Sequence, residues 1–134
     1  MALSTIAAIV SLAISLVGTP YSYGSHSTKA MDCSGLVYYC YLEVADIELE
    51  RTAKNQGYDD TYQKIETIDE LQEGDIVCFD TNPYDGDLSD HTGIFIGNNE
   101  FVHSSSSKGE VIISSIDEGF YNECFSWGRR IVEE

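Results

Sequence analysis

Apolar side chains run from residue 2 to residue 17 with only Ser4, Thr5, Ser11 and Ser15 between them. Ser and Thr accept hydrogen bonds from the free N–H groups of a first helical turn, whereas Gly and Pro end helices. A start at Ser4 or Thr5 and a stop at Gly18 and Pro20 therefore predict one buried helix. A bilayer-spanning helix needs about 20 predominantly apolar residues, and a secretory leader needs a basic segment ahead of its apolar core. The first charged side chain is Lys29, so neither pattern is met and an export signal is not evident. After a loop rich in Gly, Ser and Tyr, Asp32-Cys33-Ser34-Gly35 opens into the apolar run 36–42. An Asp or Ser ahead of such a run predicts a second helix, with Cys33 in its first turn.

The rhythm shortens in the second half. Five β-branched and aromatic runs, at 75–79, 92–96, 101–104, 111–116 and 127–132, are set apart by turn residues such as Gly97-Asn98-Asn99 and Ser106-Ser107-Lys108-Gly109. These predict sequential antiparallel strands. Helices followed by strands give an α+β fold, with the N-terminal helices packed on a small antiparallel sheet. No linker or internal repeat divides the 134 residues, which suit one domain over 1–134.

Charge narrows the partners. The net charge of −16 repels the phosphates that dominate nucleic-acid affinity and disfavours anionic membranes, so neither is expected as a partner. Residues 43–90 hold 15 acids and 3 bases, predicting a solvated face carried on helices and loops. Cys33, Cys40, Cys78 and Cys124 form no CxxC pair and no Cys/His cluster, so structural zinc is not expected, nor any other metal or cofactor. Cys40 and Cys78 lie in apolar runs and read as small buried hydrophobes. The acids Asp80, Asp85, Asp87 and Asp90 ahead of His91 fit no EF-hand spacing and read as a solvated loop that raises the His91 pKa.

Cys33 is the exception among the cysteines. A thiol becomes a nucleophile when its pKa falls, and a helix N-terminus or a nearby imidazolium achieves that. His91 and His103 flank a predicted hairpin. A two-residue loop at Asn98-Asn99 puts them on opposite faces; a three-residue loop, Gly97-Asn98-Asn99, pairs Gly93 with His103 and leaves His91 diagonal to it on one face. The second register is the one a nucleophile, base and orienting group require.

Six strings then appear in order: Gly18-Thr19-Pro20-Tyr21-Ser22-Tyr23-Gly24, Asp32-Cys33-Ser34-Gly35-Leu36-Val37, Arg51-Thr52-Ala53, Gly74-Asp75-Ile76-Val77, His91-Thr92-Gly93-Ile94-Phe95-Ile96-Gly97 and Phe101-Val102-His103-Ser104. Together they resemble the motif series of the NlpC/P60 cysteine peptidases, over nearly the whole chain. The resemblance implies a papain-like fold and hydrolysis of peptidoglycan stem peptides, at a bond between γ-D-glutamyl and a diamino acid, through an acyl-enzyme. By motif, Cys33 is the nucleophile, His91 the base and His103 the group that orients it. Tyr21 matches a tyrosine beside the thiol and Asp32 an acid associated with the substrate's free amine; Ser34 is grouped with them as substrate-binding. Two departures are Ser25, where many members have Gly, and Glu50, where many have Pro.

The resemblance implies action outside the cell or in the bacterial wall, by a monomer, with further domains or delivery by phage or mobile-element machinery as open routes. Its rivals are a non-catalytic domain of the same fold that binds wall peptides or a partner, and a papain-like amidase or acyltransferase with another substrate.

Overall fold

A computed structural model describes residues 4–134; the first three residues of the chain, including the start of the apolar run at residue 2, lie outside the described residues. The first helix, α1 (Thr5–Ser15), begins at Ser4, whose hydroxyl accepts from the Ala7 N–H at 3.0 Å. The carboxylate of Glu134 also accepts from the N–H groups of Thr5 and Ile6, at 3.0 and 2.9 Å, so an anion from the last residue sits on the positive end of α1. Only Ile9 and Ala13 of α1 are fully buried and Ile14 is 43% exposed, so the helix expected to be buried covers the core with one face and leaves the other toward solvent. Among the described residues no helix is long and apolar enough to cross a membrane.

A short hairpin, β1 (His26–Ser27) and β2 (Ala30–Met31), leads into α2 (Cys33–Ala45) and then α3 (Ala53–Tyr58). A six-stranded antiparallel sheet follows: β3 (Gln63–Ile65), β4 (Ile76–Phe79), β5 (His91–Gly97), β6 (Glu100–Ser105), β7 (Glu110–Ser115) and β8 (Phe125–Arg130), with a short helix α4 (Gly119–Cys124) before the last strand. Strands β4 to β7 are sequential antiparallel neighbours, as expected. The last strand departs from that pattern. It returns to pair with β4, and β3 joins its other side, giving the order β3-β8-β4-β5-β6-β7. The acidic stretch is thus not confined to helices and loops, since it supplies β3 and β4; a three-residue strand such as β3 carries too little alternation to be read from sequence.

Both faces of the sheet are covered, which is why all four residues of β4 are buried. On one face Ile76, Cys78, Ile94 and Val102 pack with Ile9 of α1 and Leu36 and Cys40 of α2. On the other, Val77, Phe79, Phe95 and Phe101 pack with Ile65 and Ile116, under Tyr121 and Phe125. Cys40 and Cys78 are fully buried, as read from their apolar surroundings. Burial pushes both thiols up to about 12.

The β5–β6 hairpin reaches the expected histidine register by an unexpected route. Its loop has two residues, not three: Asn98 and Asn99 both have positive φ (53° and 58°), the conformation that matches the twist of paired strands. Gly97 faces Glu100, but Phe95 faces Phe101, so Ile96 is the extra residue of a β-bulge. That one-residue shift undoes the face reversal a plain two-residue turn would impose, and Ile94 opposite Val102 carries the new register toward Gly93 and His103.

Candidate active site

Asp32 caps α2: its Oδ1 accepts from the Gly35 N–H at 2.7 Å, which places Cys33 as the first helical residue. The carboxylate is 6% exposed and fully engaged, accepting also from the Gly24 N–H at 2.7 Å and from both terminal nitrogens of Arg51 at 3.0 and 3.2 Å. Arg51 donates further to Ser34 Oγ at 2.9 Å and to the Ser25 carbonyl at 3.1 Å. Asp32 and Ser34, expected to touch substrate, therefore stand first as the framework that fixes the turn bearing Cys33. Both also line a cleft of about 430 Å³ that includes Tyr21, Cys33, Arg51 and Asp90. Tyr21 is held in the cleft wall by its N–H, which donates to the Gly109 carbonyl at 2.9 Å. Burial pushes its hydroxyl above the usual range, and negative charge at Cys33 and Asp32 adds to that.

His91 begins β5 and His103 lies within β6. Their rings meet on one face, with Nε2 of His91 2.8 Å from Nδ1 of His103. Gly93 makes the approach possible. A Cβ on Gly93 would come within 2.7 Å of the Val102 carbonyl, 2.9 Å of the Phe101 ring and 3.1 Å of His103 Cβ. Because Nε2 of His91 is committed to His103, Nδ1 is the ring nitrogen left for another partner. The backbone N–H of Thr92, the residue after His91, favours the charged form of the Cys33 thiol. Ser104, buried beside His103, donates to the Met31 carbonyl at 2.7 Å and ties β6 to the segment that enters Cys33.

The electrostatics differ from the expectation that nearby acids raise the His91 pKa. Burial pushes His91 down to about 4, and the charge of Asp90 opposes this without reversing it. Desolvation is the larger of the two effects; the Asp90 carboxylate itself accepts from the N–H groups of Thr81 and Asn82 at 2.6 and 3.0 Å. Burial, with the proximity of His91, takes His103 down to about 3. Cys33 is raised by burial and by the charge of Asp32, against the N–H groups of Thr92, Ser34 and Cys33 itself, so a helix N-terminus alone does not lower this thiol below its ordinary value. Burial thus disfavours the charged form of both Cys33 and His91. In the acidic loop, carboxylate oxygens of Asp80, Asp85 and Asp90 lie within 4.8 Å of one another. Burial and the charges of Asp90, Asp85 and Asp87 push Asp80 above the usual carboxylate range.

Three site residues escaped the sequence reading. Tyr121 of α4 stacks on the His91 ring (5.9 Å, 24°) and stands edge-on to His103 (4.9 Å, 73°), shielding the pair from solvent. Gln56, 3% exposed, donates to the carbonyls of Ser34 and Glu50 at 3.0 and 2.9 Å and accepts from the Thr92 hydroxyl at 3.0 Å. It fastens the turn bearing Cys33 to the strand bearing His91. Ser114 lies 2.7 Å from Nε2 of His103. Only the alternation along β7 hinted at Ser114; nothing local marked the other two.

The same folding pattern recurs in known proteins. The chain is 40% identical over 114 residues to the probable endopeptidase NlpC of Escherichia coli, covering 85% of this chain and 70% of that protein. It is 36% identical over 115 residues to the E. coli murein DD-endopeptidase MepS/murein LD-carboxypeptidase, covering 86% of this chain and 57% of that one. The solved structure of NlpC1 from Trichomonas vaginalis superposes with a TM-score of 0.82 at 28% identity, over 97% of this chain and 45% of that one. This chain thus corresponds to a part of each relative. The NlpC/P60 family model matches residues 18–130, a span that takes in both histidines, the capped cysteine and every strand of the main sheet, and the chain belongs to the NlpC/P60 family.

Proposed function

We propose that this domain is a cysteine endopeptidase that hydrolyses peptidoglycan stem peptides through Cys33, His91 and His103. The observation that carries the reading is the histidine pair, joined at 2.8 Å across neighbouring strands β5 and β6, beside the capped first turn of α2 that bears Cys33. The names of the E. coli relatives, an endopeptidase and a murein DD-endopeptidase, support the reaction class and the substrate.

The thiol proton of Cys33 passes to Nδ1 of His91 as the sulfur lone pair attacks the scissile carbonyl carbon. The carbonyl electrons move to oxygen, where N–H groups at the start of α2 and the Tyr21 hydroxyl supply hydrogen bonds to the oxyanion. Collapse breaks the C–N bond, and the His91 imidazolium returns its proton to the departing amine. Neutral His91 then takes a proton from water, the hydroxide attacks the thioester, and the thiol and carboxylic acid are regenerated. Because burial holds His91 neutral until the sulfur gives up its proton, the base is ready at neutral pH.

The bond expected from the motif resemblance is the one between γ-D-glutamyl and a diamino acid. The name of the MepS relative favours a second reading, a D,D bond in the cross-link. Incubating the protein with defined muropeptides and reading the fragments by mass spectrometry separates the two. Cys33→Ala should yield no fragments while melting at the wild-type temperature; undiminished cleavage by that variant overturns the scheme. Action on this substrate places the protein at the bacterial envelope, whether it arrives by export or by phage or mobile-element machinery.

A further inference from the structure

The hydrogen-bonded chain that starts at His91 does not stop at His103. Strands β6 and β7 pair with His103 opposite Ile112 and Phe101 opposite Ser114, so Ser114 is the diagonal neighbour of His103 on the same face. Its hydroxyl lies 2.7 Å from Nε2 of His103. The His103 ring is fully buried, stacked on Phe101 (4.5 Å, 26°) and met edge-on by Tyr121, so it has no room to swing to another partner. Each of its nitrogens has one partner: His91 at Nδ1 and Ser114 at Nε2.

Proton counting along this chain is restrictive. For His91 to accept the Cys33 proton at Nδ1, its own proton must sit on Nε2. That N–H must donate to Nδ1 of His103, which must then be bare. Neutral His103 therefore carries its proton on Nε2, and the only described acceptor there is Ser114 Oγ. The opposite arrangement, with the Ser114 hydroxyl donating to Nε2 and His103 donating from Nδ1, puts the His91 proton on the nitrogen facing sulfur and leaves no lone pair for the thiol proton. A serine hydroxyl can turn to serve either arrangement while His91 is neutral. Once His91 is an imidazolium only the first survives, since two N–H groups cannot face each other across 2.8 Å.

We propose that Ser114 is a positioning residue for this reaction: by accepting from Nε2–H of His103 it keeps Nδ1 of His103 bare, and so holds His91 in the tautomer that takes the Cys33 proton. This rests on the Cys33–His91–His103 reading. The contribution of Ser114 is largest where the charge on His91 is largest, after the S–H bond has broken and the sulfur electron pair has begun the C–S bond, so it acts on kcat rather than on substrate binding.

The test uses the full chain. Nitrogen NMR of protein labelled at histidine, at neutral pH, should find His103 protonated at Nε2 and bare at Nδ1; a wild-type His103 protonated at Nδ1 overturns the proposal without any variant being made. Ser114→Ala should lower kcat by about ten- to a hundredfold, the worth of one hydrogen bond to a charged chain, with KM within about twofold. The same variant should shift the His103 signals toward Nδ1 protonation, which a merely structural loss would not do. Ser114→Thr keeps the hydroxyl and should restore most of the rate. An unchanged kcat in Ser114→Ala, or no recovery in a folded Ser114→Thr, sinks the role of Ser114 alone, provided Cys33→Ala is inactive. Full activity in Cys33→Ala removes the reading beneath it instead.

Discussion

Gly93→Ala tests whether sheet geometry, and not only the identity of the reacting groups, makes the site. The added methyl would lie 2.7 Å from the Val102 carbonyl, 2.9 Å from the Phe101 ring and 3.1 Å from His103 Cβ, where ordinary contact begins at 3.4 Å. None of these neighbours is the free end of a flexible side chain. One is backbone of the paired strand, one is a fully buried ring, and one is the stem of the histidine itself. Strand β5 must therefore lift from β6 by several tenths of an ångström, opening the 2.8 Å His91–His103 contact. Overpacking of this kind costs about 1–3 kcal/mol, or roughly 4–10 °C in melting temperature for a chain of this size. The activity loss should be separable from the loss of stability. A displacement of about 1 Å at reacting groups costs on the order of a hundredfold, so cleavage should fall at least tenfold at a temperature where the variant is fully folded. Thermal unfolding and muropeptide cleavage on the same preparation measure both. A variant with wild-type melting and wild-type kcat would refute the claim that the bare Cα of Gly93 sets the distance between the rings.

Four further outcomes concern the site's supports, the end of α1 and the ionisation of His91. Gln56→Leu strips partners from the Ser34 and Glu50 carbonyls and from the buried Thr92 hydroxyl, and should cost about 2–4 kcal/mol in urea unfolding while lowering kcat more than it raises KM; a neutral substitution would mean that the link between α2 and β5 is redundant. The pKa of Glu134 is held below its ordinary value, chiefly by the Ile6 N–H, so its contribution is present above the usual carboxylate range and is lost as pH falls through the depressed value. Glu134→Gln should therefore lower the melting temperature at pH 7 and match the wild type in strong acid, and a gap that persists in acid would contradict this. Because burial takes His91 from its ordinary 6.5 down to about 4, the unfolded chain binds the extra proton between those values, so stability should decline as pH drops below about 6.5. The acid limb of kcat/KM should lie near 4, and a limb at 6 to 7 would show that burial does not govern this base.

Much of the protein is local and therefore legible. The cap at Ser4, the cap at Asp32 and the apolar runs behind them specify α1 and α2, because capping and helical burial involve residues a few positions apart. The same holds for β4 to β7, whose β-branched and aromatic runs and intervening turn residues are short-range features of the chain. Cys33, His91 and His103 could be singled out from residue type and motif, and the structure brings the two histidines together across strands β5 and β6.

What only the tertiary structure decided are contacts between segments far apart in sequence. The return of β8 to β4, with β3 at the edge, depends on which sheet edge is left open after the hairpins form. The bulge at Ile96 was invisible because a two-residue and a three-residue loop suit the same Gly97-Asn98-Asn99, and packing of His103 against Phe101 and Tyr121 selects between registers. Gln56 and Ser114 carry no chemical signature of their own; their roles arise from the groups placed against them. The ionisation of the site was likewise beyond the sequence. The acids ahead of His91 pointed to a raised pKa, yet burial removes the imidazole from water, and desolvation outweighs the charge of Asp90.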